Sequence, residues 1–153
     1  MKKRLRSFAD SFRWAGQGIL LCIRNERNFR IHLVIAFYVV VLAALLKLDG
    51  LHFAALSITI GNVLVTELLN TAIEAVVDLA SPQKHPLAKT AKDVAAGAVL
   101  ISAIVSVSVG IFLLWQPEKL LALAGGFLAS PFLIILLAVS AALSLWFIFG
   151  LEK

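Results

Sequence analysis

The chain has 153 residues, of which 61% are hydrophobic and 15% charged, and its mean hydropathy is +0.96. This apolar share is far above that of ordinary soluble domains, so the composition excludes a soluble protein and indicates one membrane domain over residues 1–153. The formal net charge is +5. A single cysteine, Cys22, gives no basis for a disulfide framework or a cysteine-based metal site.

Residues 7–25 are predicted to form an amphipathic helix on the membrane surface. Their apolar residues recur at helical spacing, and their charged residues lie mostly elsewhere around the helix. Polar residues interrupt the apolar run that a secretory signal would need, so we expect the start to be mature protein. The helix either anchors the chain to anionic lipid or covers an active site, and the sequence leaves both interpretations open.

Four apolar runs follow, each about as long as the roughly 20 helical residues that cross a hydrocarbon core. Only helices and closed barrels satisfy the backbone in lipid, and none of these runs alternates with a period of two. The runs predict membrane helices at 31–48, 51–78, 92–115 and 127–150. The predicted fold class is therefore an all-α membrane protein with an N-terminal surface helix and four transmembrane helices.

Basic residues predict how these helices are oriented. Eight lysines or arginines precede the first predicted span, three lie between residues 78 and 93, and one ends the chain. Only Lys47 and Lys119 lie in the other two loops. The positive-inside rule then places both termini and the 78–93 segment in the cytoplasm of a multi-pass protein.

A row of acidic and amide side chains marks the second predicted span. Glu67, Asn70, Glu74 and Asp78 fall within about 80° of one another on a helix of 3.6 residues per turn, so they share one face. Charged groups in a membrane segment are expensive and usually face a bundle interior, a partner or a ligand. At 1.5 Å per residue from Leu51, Glu67 lies roughly 24 Å along the helix and Glu74 about 35 Å. The row therefore emerges at the inner water interface.

Two groups of polar residues are predicted to reach this interface from neighbouring segments. The group before the first span is Glu26, Asn28, Arg30 and His32, and the group after a proline turn at 81–86 is His85, Lys89, Lys92 and Asp93. Salt bridges and positive-inside anchoring explain many of these charges, but not Glu26 or Asn28. Together they supply acids for Mg²⁺, lysines for phosphate and a carboxylate at lipid depth, which are the parts that phosphoryl transfer requires.

Other interpretations of the acidic row are interhelical hydrogen bonds in an oligomer and a non-enzymatic ion or proton carrier. A carrier should keep polar groups across the whole membrane depth, but the outer halves of the predicted spans have almost none. A soluble nucleotide-binding fold is excluded, because neither a G-x-x-x-x-G-K-[ST] loop nor a kinase Gly-rich loop is present.

Three segments resemble the signature of the small prokaryotic integral-membrane diacylglycerol kinases: residues 67–78 (ELLNTAIEAVVD), 85–89 (HPLAK) and 91–99 (AKDVAAGAV). Residues 25–32 (NERNFRIH) and 81–82 are more similar to the undecaprenol kinase branch. The resemblance covers approximately residues 7–115. It implies an enzyme of the bacterial inner membrane that uses MgATP to phosphorylate a lipid alcohol, with undecaprenol preferred over diacylglycerol. It also implies a homotrimer whose active sites are shared between subunits.

By matching position, the resemblance also implies roles for individual residues. Glu67 would be the general base on the lipid hydroxyl, and Glu26 and Glu74 would ligate Mg²⁺. The residues implied to position phosphate and metal are Asn70, Lys92 and Asp93, and those implied at the nucleotide are Asp78, His85 and Trp14. A plain membrane-interface anchor explains Trp14 equally well.

The fourth predicted span departs from this resemblance, because family members of this kind commonly end soon after the third. It carries small residues suited to close helix packing, namely Ser140, Ala141, Ala142 and Ser144. Three roles for this span stay open: surrounding the trimer, altering the oligomeric state, or returning the C-terminus to the cytoplasm.

Overall fold

The computed structural model describes residues 2–83 and 85–151, with side chains from residue 8 onward. The helices are α1 (Lys2–Asn25), α2 (Arg27–Leu45), α3 (Gly50–Ala80), α4 (Pro86–Leu114), α5 (Pro117–Leu128) and α6 (Pro131–Phe149). Within this part of the chain there is no strand, and α2, α4 and α6 are long and apolar enough to cross a membrane. The predicted all-α membrane fold class is confirmed.

Helix α1 extends the predicted surface segment back to Lys2. Its aromatic residues Phe8, Phe12 and Trp14 are each more than 60% exposed, and Phe8 and Phe12 meet edge to face with ring centroids 4.9 Å apart. Near the other end, Cys22 is 4% exposed. The helix therefore presents an aromatic surface at its start and packs on the bundle near its end.

The turn between α2 and α3 ends the first predicted span three residues early. Lys47 has a φ of 54°, and the backbone N–H groups of Lys47 and Leu48 donate to the carbonyls of Ala44 and Ala43. This left-handed residue with paired backward hydrogen bonds is a Schellman motif, which satisfies the last carbonyls of a helix. The chain then enters α3 through Asp49, whose carboxylate accepts from the N–H groups of Leu51 and His52.

Helices α3 and α4 form an antiparallel pair joined by the predicted proline turn. Helix α3 ends at Ala80, before Pro82, and α4 starts at Pro86. A proline at the first helical position loses nothing, because that N–H has no partner within the helix. Between the two helices, Asn62 Nδ2 donates to Ser102 Oγ at 3.1 Å. Helix α3 contains the predicted second span, and its crossing of the membrane stays a prediction.

The predicted span at 127–150 begins in the last two residues of one helix and lies mostly in the next. Helix α5 ends at Leu128, and α6 begins at Pro131 after Ser130, whose hydroxyl accepts from Leu133 N–H. Proline disfavours helical geometry in the residue before it, so Ser130 breaks the apolar run. Phe127 therefore belongs to α5, and the 19 residues of α6 span about 28 Å.

Contacts between distant segments bring four helix termini to one end of the bundle. The starts of α2 and α4 meet the ends of α6 and α3 through Arg30 to Ile148 and Lys92 to Asp78. Midway along the bundle, the Tyr38 hydroxyl lies 3.1 Å from the hydroxyls of both Ser140 and Ser144. At the opposite end, Lys119 Nζ donates to the carbonyl of Leu46. We call the end with Arg30 and Asp78 the site end.

The cap of α3 should make stability depend on pH. Hydrogen bonds from the backbone and ring of His52 hold the pKa of Asp49 below its ordinary value. A lowered folded-state pKa stabilises the fold at neutral pH, and the stabilisation is lost as pH falls through that lowered value. We expect Asp49→Ala to lower the melting temperature at pH 7 and to have less effect in strong acid, measured by thermal unfolding in detergent.

Asp49→Asn is the matched control, because an amide oxygen still accepts backbone N–H groups at a helix start. It should retain more of the pH 7 stability than Asp49→Ala does. An Asp49→Ala effect of equal size at pH 7 and pH 2 would contradict the electrostatic part of this assignment.

Candidate active site

Glu67 lies buried at the site end, on the face of α3 that meets α2. Its side chain is 4% exposed, and Oε1 lies 3.2 Å from His32 Nε2. A carboxylate at this depth needs a hydrogen-bonding partner, because burying it unpaired costs several kcal/mol. The sequence placed both residues near the inner interface, but the direct contact between them follows from the packing of α2 on α3.

Asn70 and Glu74 continue the row by one and two helical turns. Asn70 Nδ2 donates to Glu74 Oε1 at 2.9 Å. The other end of the amide, Asn70 Oδ1, is buried and has no hydrogen-bond partner among the described residues. Buried polar atoms are nearly always paired, so this unpaired oxygen beside a carboxylate is a candidate acceptor for a bound ligand.

Glu26 joins this group from the junction between α1 and α2, where its backbone is extended. The charges of Glu26 and Glu74 both act on Glu67. Burial raises the pKa of the Cys22 thiol, a hydrogen bond with Thr71 opposes that change, and the charges of Glu26 and Glu67 add to it. The carboxylates of Glu26 and Glu74 therefore each lie close enough to Glu67 to repel it, and such a group of negative charges attracts a cation.

The residues fit an Mg²⁺ ion that is shared with a bound ligand. In the described part of the chain, no three His, Cys, Asp or Glu side chains are grouped closely enough to hold a metal by themselves. Mg²⁺ usually takes one or two carboxylates and completes its shell with phosphate oxygens and water. Glu26, Glu74 and the unpaired oxygen of Asn70 are hard oxygen donors of that kind.

A cavity of about 630 Å³ with several charged side chains in its lining lies at the turn between α3 and α4. Four predicted site residues line it: Asp78, His85, Lys92 and Asp93. Lys92 Nζ donates to Asp78 Oδ1 at 2.6 Å, and Lys89 adds a second cation to the lining. The cavity therefore brings two lysines and two acids together at the site end of the bundle.

Two predicted nucleotide residues lie in simpler surroundings. His85 Nδ1 accepts the N–H of Leu87 and so caps the start of α4, a role that the sequence did not predict. Trp14 is 61% exposed on α1. Contacts of either residue with a nucleotide stay predictions.

An apolar groove of about 590 Å³ runs between α2, α3 and α4. It extends from His32 at the site end to Trp115 and Leu120 at the far end. A smaller cavity of about 280 Å³ adjoins it and is lined by Asn28, Glu67 and Asn70. His32 and Ala103 line both cavities, so the pocket that contains Glu67 adjoins the apolar groove. The sequence did not predict this groove, because its walls come from separate helices.

Known proteins match most of the chain. Residues 13–114 match the family profile described as prokaryotic diacylglycerol kinase. The chain is 49% identical over 108 residues to a diacylglycerol kinase of Synechocystis sp., with 70% of this chain and 62% of that protein covered. It is 42% identical over 112 residues to the undecaprenol kinase of Bacillus subtilis, with 73% and 91% covered. It is 37% identical over 108 residues to the diacylglycerol kinase of Escherichia coli K12, with 71% and 87% covered.

Apolar helices with a cluster of acids, amides and lysines at one end define a membrane protein with a candidate site at that end of the bundle. The matched residues include α2, α3 and α4 and every candidate site residue. The chain belongs to the prokaryotic diacylglycerol kinase family, a class of lipid kinases. Helices α5 and α6 lie outside the matched residues.

Proposed function

We propose that the chain transfers the γ-phosphoryl group of ATP to the hydroxyl of a membrane lipid alcohol, with undecaprenol as the preferred acceptor. One observation carries the proposal: the buried carboxylate of Glu67 lies in a small pocket, with Asn28 and Asn70, that adjoins the apolar groove at His32. A lipid chain in the groove would bring its hydroxyl to Glu67. Water-soluble alcohols have no apolar chain that could bind in the groove and position their hydroxyl.

Glu67 is the general base of this proposal. With its proton on Nε2, His32 donates a hydrogen bond to Oε1, which orients the carboxylate and leaves Oε2 to accept the proton of the lipid hydroxyl. The lipid oxygen then forms a bond to the γ-phosphorus as the bond to the ADP oxygen breaks. Burial of Glu67 keeps water away from the place of attack.

The nucleotide would occupy the water-facing side of the acidic row. Glu26, Glu74 and the oxygen of Asn70 would hold Mg²⁺, which supplies charge neutralisation at the phosphates when bound. Lys92, which already reaches from α4 to Asp78, would exchange that partner for a phosphate oxygen. Lys89, His85 and Asp93 line the same cavity and would complete the contacts with the nucleotide.

The comparisons support both lipids as acceptors. The relative from Bacillus subtilis, named an undecaprenol kinase, is covered over 91% of its length, whereas the Synechocystis relative, named a diacylglycerol kinase, is more identical but covered over 62%. The preference for undecaprenol comes from residues 25–32, which line the approach to Glu67 through Asn28 and His32.

We also propose a homotrimer with shared active sites, embedded in the bacterial inner membrane with its site end in the cytoplasm. The positive-inside count supports this orientation, because basic residues gather at the site end and ATP is a cytoplasmic substrate. The trimer rests on the family resemblance. The exposed aromatic side chain of Trp14 on α1 is then available to a neighbouring subunit's site.

Replacement of Glu67 by glutamine should remove the base without changing its size. Because general-base catalysis contributes about 10²-fold or more, we expect kcat of Glu67→Gln to fall by at least about 10²-fold. ATP binding, measured by equilibrium titration, should be nearly unchanged. Glu118→Gln on α5 is the control for loss of one exposed carboxylate and should retain full activity. Normal turnover by Glu67→Gln would remove the assignment of the base.

Replacement of Glu74 by alanine should instead weaken nucleotide binding. It removes one oxygen donor for Mg²⁺ and the partner of Asn70 Nδ2, so the triphosphate charge is less neutralised. We expect a several-fold higher Mg²⁺ requirement, measured from initial rates over a range of Mg²⁺ concentrations at fixed ATP. An unchanged Mg²⁺ dependence would contradict this role for Glu74.

The acceptor can be identified with labelled ATP and a panel of lipid alcohols in one type of mixed micelle. We expect a higher kcat/KM for undecaprenol than for diacylglycerol, since that ratio measures discrimination. Glycerol and other water-soluble alcohols should be poor acceptors. A ratio that favours diacylglycerol would overturn the choice of lipid, and phosphorylation of no lipid would overturn the proposed function.

A further inference from the structure

Arg30 is the most buried charged side chain of the described residues and is 1% exposed. Its guanidinium donates to three backbone carbonyls. Nε donates to Ile148 at 2.9 Å, and Nη1 donates to Ile23 at 3.1 Å and to Arg24 at 3.0 Å. These bonds join α2 to the last turn of α1 and to the last turn of α6, which is 118 residues away along the chain.

Helix ends explain why a guanidinium is stable at this position. The last four carbonyls of a helix lack donors within it, and the C-terminal end of a helix carries partial negative charge. Ile23 and Arg24 lie in the last turn of α1, and Ile148 lies in the last turn of α6. The planar guanidinium has several N–H donors in fixed directions, which a lysine does not have.

Glu26 lies at the junction between α1 and α2, next to the hydrogen bonds that Arg30 makes with the end of α1. Its N–H donates to the carbonyl of Cys22, and its own carbonyl accepts from Arg30 N–H. The position of its carboxylate therefore depends on how the end of α1 meets the start of α2. Arg30 fixes that junction, and one of its three bonds comes from α6.

We propose that α6, together with Arg30, is a positioning element for Glu26. Docking of the C-terminal end of α6 on Arg30 sets the angle between α1 and α2. That angle in turn positions the Glu26 carboxylate to bind the metal and the nucleotide. The hydrogen bonds of Tyr38 with Ser140 and Ser144 hold α6 against α2 in the middle of the membrane. The inference rests on the proposed function, because it assigns Glu26 to MgATP.

Gly150 gives a way to disturb the end of α6 without changing Arg30. A Cβ at Gly150 would lie 2.6 Å from the backbone oxygen of Trp146 and 2.8 Å from Trp146 Cδ1, so the last turn, which contains Ile148, would have to move. Gly126 in α5 is the matched control, because a Cβ there meets nothing within 4 Å. Both changes add one methyl group to the same C-terminal region.

The experiment compares the unsubstituted chain with Gly150→Ala, Gly126→Ala, Arg30→Lys and the double variant that combines Gly150→Ala with Arg30→Lys. We expect Gly150→Ala to raise the KM for MgATP by about fivefold with little change in kcat, since it removes binding that ground state and transition state share. Arg30→Lys should also raise the KM for MgATP. The double variant of Gly150→Ala and Arg30→Lys should have a KM no higher than that of Arg30→Lys alone, because both changes disturb the contact between Arg30 and Ile148. Gly126→Ala should match the original chain.

Cys22, the single cysteine, provides a second measurement that does not need kinase activity. It is buried near the end of α1, so its alkylation rate reports how firmly α1 is docked. Gly150→Ala should speed alkylation several-fold, and Gly126→Ala should not. Unchanged alkylation and unchanged KM in Gly150→Ala would overturn the inference. If the original chain phosphorylates no lipid, the proposed function fails, and the alkylation rates still decide whether α6 positions α1.

Discussion

Solvation of charge is the constraint on which the arrangement of this bundle depends. An ionisable group in a hydrocarbon environment must find a partner or reach water, because leaving it alone costs several kcal/mol. The acidic row of α3 follows this rule along its length: Glu67 is buried against His32, Glu74 is half-buried against Asn70, and Asp78 is exposed beside Lys92. Pairing thus gathers the ends of α2, α3 and α4, and that gathering creates the candidate site.

The same constraint explains how an added helix attaches to a family bundle. Helix α6 lies outside the matched residues, and a helix in lipid gains no hydrophobic energy from packing on another. Polar contacts add to its van der Waals packing: the carbonyl of Ile148 accepts from Arg30, and two serines contact Tyr38. Because the contact with Arg30 uses a backbone carbonyl, it places no demand on the side chain at that position.

Sequence reasoning predicted the elements and the acidic row because both depend on local periodicity and composition. It predicted that Glu67, Asn70, Glu74 and Asp78 share a face, and it predicted the break at the prolines after α3. It missed the break at Ser130, since the apolar run continues through it. It also missed the contacts of His32 with Glu67 and of Arg30 with Ile148, because the register between distant helices depends on packing, which no local pattern contains.

The order of residues along α3 gives the proposed reaction a direction. From Glu67 to Asp78 the helix rises about 16 Å, with the apolar groove at one end of that distance and the lysine-lined cavity at the other. Phosphoryl transfer needs the attacking and leaving oxygens on opposite sides of the phosphorus, so a lipid on one side and a nucleotide on the other is the required geometry. A kinase must also prevent water from replacing its acceptor. In the proposed reaction Glu67 would meet that need, because its 4% exposure favours an anchored hydroxyl over bulk water as the group that it would deprotonate.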